Sequence, residues 1–267
     1  MELITSAKNT KLREIRKLAK KSYRDDTGLC LVEGIQPCLR AIENGYHLEL
    51  LVYAPEILQS EVALAIVNDL ERRDVNVLRV SKDAFAALSL RDNPVGIALV
   101  AKMRTTDLSH VAPRRDSILT VLFDVKSPGN LGTIVRTVDS ISGAGVVLVG
   151  QTADPYDPQC IKASMGTVFN VPLVKVASAD EFLTWCKRLQ IALITTSSQA
   201  TVDVADAHFT YPCAVLMGSE GPGLPRDILS AGHWSVRIPM HGQASSLNLA
   251  VATGIILYEV KKQQTSK

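Results

Sequence analysis

Short apolar runs of five to eight residues alternate with amphipathic helical segments along almost the whole of this 267-residue chain. That alternation favours one class of fold, an α/β structure whose mostly parallel sheet carries helices on both faces. A first series has strand candidates at 29–33, 48–54, 75–80 and 95–101, with helices over 34–45 and 60–74. It predicts a small three-layer unit. The periodicity lapses over 102–116, KMRTTDLSHVAPRRD, where Pro113 and a polar composition suit a linker. A second series places strands at 117–124, 145–149, 171–176, 191–196, 212–217 and 234–238, and helices at 130–141, 158–165, 179–189, 225–231 and 246–262. The expected division is therefore 1–101, a linker over 102–116, and 117–267. Ligand sites are expected beyond the carboxyl ends of the strands.

Composition narrows the function classes. Hydrophobic residues make up 46% of the chain, enough for a packed core and too many for intrinsic disorder. No apolar run approaches the ~20 residues that cross a bilayer. The start of the chain lacks the apolar core and cleavage site of a secretory signal. The five cysteines are scattered and never form a C-x-x-C pair, which argues against a disulfide framework or a zinc site. A reducing, cytoplasmic setting is the expectation, with no metal.

Net charge is only +2, but its distribution is uneven. Residues 1–24 carry Lys8, Lys11, Arg13, Arg16, Lys17, Lys20, Lys21 and Arg24 against Glu2 and Glu14. Leu12, Ile15, Leu18 and Ala19 recur there at helical spacing. A solvated amphipathic helix and a footprint for phosphates both fit this pattern. A second basic group, Arg104 with Arg114 and Arg115, falls in the linker stretch.

Three loops carry candidate chemistry. The first follows the strand ILTVLFD: SPGN turns into a helix beginning near Asn130, and Arg136 lies nearly two turns on. Its first-turn amides would face an anion or a ribose, although these residues alone favour a capped helix with a surface arginine. The second is VLMGSEGPGLP, with Gly218, Gly221 and Gly223 around Glu220. It is neither the dinucleotide fingerprint nor a P-loop, and a carboxylate kept among glycines suggests binding. The third, IPMHGQASSLNLAVATG, enters the last helix through Ser245, Ser246 and Asn248, with either serine able to cap it. His241 has no partner at metal-ligand spacing, and Ser219 and Ser246 lack a nucleophile elbow.

Taken in this order, the loops resemble the SpoU (TrmH-like) branch of the SPOUT RNA methyltransferases. The first matches through Asn130, Gly132 and Arg136. The second matches through Gly218, Glu220, Gly221 and Gly223, and the third through Ile238, Pro239, Met240, Ser246, Leu247 and Asn248. Residues 1–101, above all LCLVEGIQPCLRAIENG, look like the L30e-like substrate-binding domain that many members carry. Two positions depart from the family pattern. Ser142 stands where glycine is usual, and Ala250 replaces a hydroxyl-bearing residue.

The resemblance implies a trefoil-knotted catalytic domain and S-adenosylmethionine as cofactor, with Thr196, Gly218, Ile238, Met240 and Leu247 as contacts. It implies a homodimer formed through the knotted region, and methyl transfer to a ribose 2′-hydroxyl, in ribosomal RNA before transfer RNA. A catalytically inactive RNA-binding relative is the remaining alternative. Arg136 would be catalytic, aided by Asn130, Glu220, Ser246 and Asn248. Because guanidinium stays protonated, a phosphate clamp suits Arg136 better than a general base. Beside such a site, Lys11, Arg13, Arg16, Lys17 and Lys20 would hold the RNA backbone.

Overall fold

A computed structural model describes residues 3–73 and 75–265. Asp74, the last residue of the helix expected over 60–74, lies outside them, as do the first two residues of the basic segment and the last two of the chain. The chain forms two compact units. One comprises the chain up to Arg104 together with Tyr156–Asn170. The other comprises Thr105–Pro155 with the chain from Val171 onward.

The first unit runs α1 (Thr10–Lys17), α2 (Lys21–Thr27), β1 (Leu29–Glu33), α3 (Ile35–Glu43), β2 (Leu48–Tyr53), α4 (Glu61–Arg72), β3 (Val77–Arg79), α5 (Lys82–Leu88) and β4 (Ile97–Lys102). Its four strands lie in the order β1-β4-β2-β3, with β4 antiparallel to both neighbours and β2 parallel to β3. Alternate strand residues (Leu31, Val52, Leu78, Val100) share a core with Leu12, Ile15, Leu18, Phe85 and Leu88. The basic segment is therefore no free arm. Asn9 caps α1, the helix breaks before α2, and its apolar stripe is buried while its lysines and arginines face solvent. Arg24 is the exception: it is fully buried, donating to the carbonyls of Leu18 and Ala19 and pairing with Asp157 at 3.4 Å. A buried guanidinium needs such partners, so this charge holds the fold.

The second unit continues β5 (Ile118–Phe123), α6 (Pro128–Ser140) and β6 (Gly145–Val149). Next comes α7 (Pro158–Ala163), which belongs to the first unit. The series resumes with β7 (Leu173–Val176), α8 (Ala179–Arg188), β8 (Ala192–Thr196), β9 (Val202–Asp203), β10 (Cys213–Met217), α9 (Arg226–Ser230), β11 (Trp234–Arg237) and α10 (Leu249–Thr265). Its seven strands are all parallel, in the order β7-β6-β5-β10-β8-β11-β9. Helix α10 packs along α6 and against β10.

Several expectations shift. Residues 158–165 were expected within the catalytic half, but their apolar face packs on the first unit. Tyr46 meets Phe169 edge to face at 4.9 Å, and the Tyr46 and Tyr156 hydroxyls lie 3.2 Å apart. The 102–116 stretch is not loose, because Leu108 is buried in the core of the larger sheet and Thr106 bridges to Val174. Arg104 is exposed, but its guanidinium is already engaged within the first unit. Its guanidinium stacks 4.1 Å from the Tyr46 ring and donates to the Asn44 and Gly45 carbonyls. Helices α2 and α5 and the short β9 add to the expected elements.

Candidate active site

Parallel strands present all their carboxyl ends on one side of a sheet. On that side of the larger unit, a cleft of about 430 Å³ lies beyond β10, β8 and β11, within the range of roughly 300–1,000 Å³ usual for small-molecule sites. Thr196 ends β8, Gly218 follows β10, and Ile238 follows β11. All three line the cleft, as do Met240, Ser246, Leu247, Asn248 and Glu220. Its apolar wall comes from Met217, Val236 and Ile256. Five residues from three separate loops, expected from sequence to meet a cofactor, thus face one space.

The glycine loop is shaped by its own backbone. A side chain on Gly218 would collide with the main chain of Gly223 and Leu224. The Gly223 amide donates to the Ser219 carbonyl at 3.0 Å, closing the loop. Gly221 (φ +100°) and Gly223 (φ +71°) adopt left-handed conformations that favour glycine. The close approach expected between ligand and glycine backbone is, at Gly218, first an approach of the loop to itself. Glu220 then projects from the turn to solvent.

Asn130 joins the loops. Its Nδ2 donates to Glu220 Oε1, and its Oδ1 accepts from Asn248 Nδ2 at 3.1 Å. Two expected helix starts are corrected here. Helix α6 begins at Pro128, and Ser127 Oγ caps it by accepting the Asn130 amide at 3.3 Å. The first-turn amide at Asn130 is therefore already satisfied, and it is the Asn130 side chain that serves the site. Helix α10 begins at Leu249, and its cap is Asn248 rather than Ser245 or Ser246. Asn248 Oδ1 accepts from the amides of Ala250 (2.9 Å) and Val251 (3.3 Å), which leaves both serines in the exposed loop lining the cleft.

Arg136 stands apart from this group. It is exposed on α6 and does not line the cleft of its own chain. Lys11, Arg13, Arg16, Lys17 and Lys20 are exposed in the other unit, with Lys17 held by Glu14 at 2.8 Å. Among the described residues, no cluster of three metal-ligating side chains occurs and no helix is long and apolar enough to cross a membrane. All five cysteines are buried, and burial pushes the Cys186 and Cys213 thiols up to about 12, so neither offers a thiolate nucleophile. Arg237 also lines the cleft, and the sequence reading passed over it. Its signal was the basic residue ending the strand before IPM.

Comparison with known proteins identifies the family. Residues 117–258 match the SpoU rRNA Methylase family, and residues 9–99 match the MRM3-like substrate binding domain. The 23S rRNA (uridine(2479)-2'-O)-methyltransferase of Streptomyces viridochromogenes is 33% identical over 93% of this chain and 88% of its own length. The 23S rRNA (guanosine(2553)-2'-O)-methyltransferase RlmP of Bacillus subtilis is 30% identical over 98% of this chain and all of its own. The AdoMet-bound rRNA methyltransferase from Sinorhizobium meliloti has a similar structure: its TM-score is 0.88 at 32% identity, covering 98% of this chain and 97% of that one. With its larger half matched throughout and relatives aligned almost end to end, the chain belongs to the SpoU rRNA methylase family.

Proposed function

We infer that this protein transfers a methyl group from S-adenosylmethionine to a ribose 2′-hydroxyl of ribosomal RNA. The observation that carries this reading is the meeting of Asn130, Glu220 and Asn248 at one end of a cleft beyond the strand ends. The cleft suits an amphipathic nucleoside, with Met217, Val236 and Ile256 for its apolar parts and Thr196, Ser246 and loop backbone for its polar ones. Gly218, Ile238, Met240 and Leu247 would hold the cofactor. Once bound, S-adenosylmethionine supplies an activated methyl on a sulfonium.

The residues of the chain then have to align the acceptor and ease loss of its proton. The Asn130–Glu220–Asn248 network fixes the three loops relative to one another, and Ser246 shapes the nucleotide side of the cleft. Arg136 clamps the phosphate next to the acceptor ribose and stabilises the developing alkoxide, a role that suits a permanently charged, bidentate donor. Lys11, Arg13, Arg16, Lys17 and Lys20 hold the RNA backbone without reading its sequence.

The working form is a homodimer through the larger unit. Val251, Ile255 and Tyr258 form an exposed apolar stripe on α10, respectively 50%, 42% and 69% accessible, on the helix that packs along α6. A second copy seated there would cover the stripe and give Arg136 a site in its partner to serve. The return of the chain from the 238–248 loop into α10, which packs on α6 and β10, is consistent with the trefoil knot of the family. Five buried thiols suit a cytoplasmic location. The test is incubation with methyl-labelled S-adenosylmethionine and RNA from cells lacking the protein, followed by mapping of ribose methylation. One new site in ribosomal RNA is expected. A site in transfer RNA overturns the substrate, and no label on any RNA overturns the activity.

A further inference from the structure

The cleft is lined by a basic side chain, Arg237, that none of the three motifs includes. Among the described residues lining it, Glu220 is the only acidic one and Arg237 the only lysine or arginine. The sheet order β5-β10-β8-β11 sets them apart: Glu220 follows β10, beside Asn130 after β5, whereas Arg237 ends β11 on the far side of β8. Two strand spacings separate those strands, roughly 10 Å. Arg237 pairs in register with Asp203 on β9, and its Nε donates to Asp203 Oδ1 at 2.6 Å. That bond fixes the plane of the guanidinium yet uses only one of its five N–H donors, so the terminal Nη edge remains to grip an oxyanion in a fork. The group is about two-fifths accessible, open enough to be reached from the cleft.

We propose that Arg237 binds the carboxylate of the cofactor's amino-acid tail. This rests on the reading of the cleft as an S-adenosylmethionine site. The cofactor carries its only negative group on that tail, and its sulfonium and ammonium are positive. The remaining N–H donors of Arg237 at the β11 end and the Glu220 carboxylate at the β10 end orient it one way round, with its sulfonium drawn toward Glu220 and the Asn130–Asn248 pair. Arg237 is a positioning and specificity residue in this scheme, not part of the chemistry. A phosphate of the RNA would offer the same oxyanion, and the test separates the two sources.

The experiment measures binding by calorimetry for wild type, Arg237→Gln and Arg237→Lys. The ligands are S-adenosylhomocysteine and 5′-methylthioadenosine, which shares the nucleoside and lacks the amino-acid tail. Arg237→Gln is expected to weaken S-adenosylhomocysteine about tenfold and leave methylthioadenosine within about twofold, with Arg237→Lys in between. Retained methylthioadenosine binding also reports an intact cleft. Equal losses for both ligands, or no loss for either, overturn the proposal and leave Arg237 as a cross-strand pair only. Weakened binding of ribosomal RNA with unchanged S-adenosylhomocysteine assigns the arginine to phosphate instead and equally overturns it. If wild type binds neither nucleoside, the cofactor reading itself fails, an outcome distinct from these.

Discussion

Asn248 and Asn130 meet amide to amide. The Nδ2 of Asn248 donates to Asn130 Oδ1 at 3.1 Å, while its own Oδ1 holds the amides of Ala250 and Val251. One side chain therefore caps α10 and ties the third loop to the first. The two tasks use different atoms, so substitution can separate them. Asn248→Asp keeps the acceptor at the helix start, where a negative charge is favourable, but turns an oxygen toward Asn130. Its melting temperature should stay at or above that of wild type while methyl transfer falls about tenfold or more. Asn248→Ala should lose the cap as well, at about 1 kcal/mol of stability. Full activity in Asn248→Asp would remove the network from the mechanism.

Arg136 does not line the cleft of its own chain, and as a clamp on the RNA phosphate its loss should leave cofactor affinity unchanged. Removal of a donor that meets developing negative charge typically costs about 10²–10³ in turnover. Arg136→Ala is expected in that range, and Arg136→Lys should recover only part, because lysine keeps the charge and loses the fork. Single-turnover transfer alongside calorimetry with S-adenosylhomocysteine checks both halves. An active Arg136→Ala would sink the assigned role.

The α/β class, the strand series and the three loops were legible in sequence because each rests on local pattern: apolar runs of strand length, helical spacing, and glycine or proline at turns. What escaped needed tertiary partners. Arg24 looks like its basic neighbours until Asp157, far along the chain, is seen to meet it in the interior. Tyr156–Asn170 follow β6 in sequence, yet they belong to the first unit, where Tyr156 and Phe169 meet and Phe169 packs on Tyr46. The cap of α10 was misjudged for a similar reason. Serine and asparagine are nearly equal as caps, and only the position of Leu249 decides between them.

The apolar stripe on α10 predicts a dimer that one charge should break. Ile255→Asp places a carboxylate in the middle of Val251, Ile255 and Tyr258, and sedimentation should report a monomer with little activity. A dimeric, active Ile255→Asp would show that another surface pairs. Sharing of the site has its own test. Arg136→Ala mixed with Asn248→Asp should regain part of the activity only if each Arg136 serves its partner's cleft. Within one chain, neither protomer of the mixed dimer would have both residues intact.

The basic face of the first unit should act through charge alone. Leu12, Ile15 and Leu18 anchor it in the core, so Arg13→Gln, Arg16→Gln and Lys20→Gln together should leave the fold unchanged. RNA affinity should fall, and the slope of log affinity against log salt should flatten by about 0.7–0.9 for each phosphate that is no longer neutralised. The nucleotide methylated should stay the same. A changed target with an unchanged slope would mean that this face reads sequence rather than phosphate.

Ser142 has φ +55° in the turn between α6 and β6. The Gly143 amide donates to the Val138 carbonyl at 2.8 Å, which closes α6 and requires a left-handed residue at position 142. A residue with a Cβ costs about 1–2 kcal/mol in the left-handed region. The side chain is exposed, so its removal sacrifices no packing. Ser142→Gly relieves the strain but gives the unfolded chain more freedom, an opposing effect of about 0.4–1 kcal/mol. The balance favours glycine by about 0.5–1 kcal/mol. In a unit of this size, that should raise the melting temperature by about 1–4 °C in scanning calorimetry. Ser142→Ala retains the Cβ and should show no such gain, so equal melting temperatures for the glycine and alanine variants would mean that the turn stores no strain at this position.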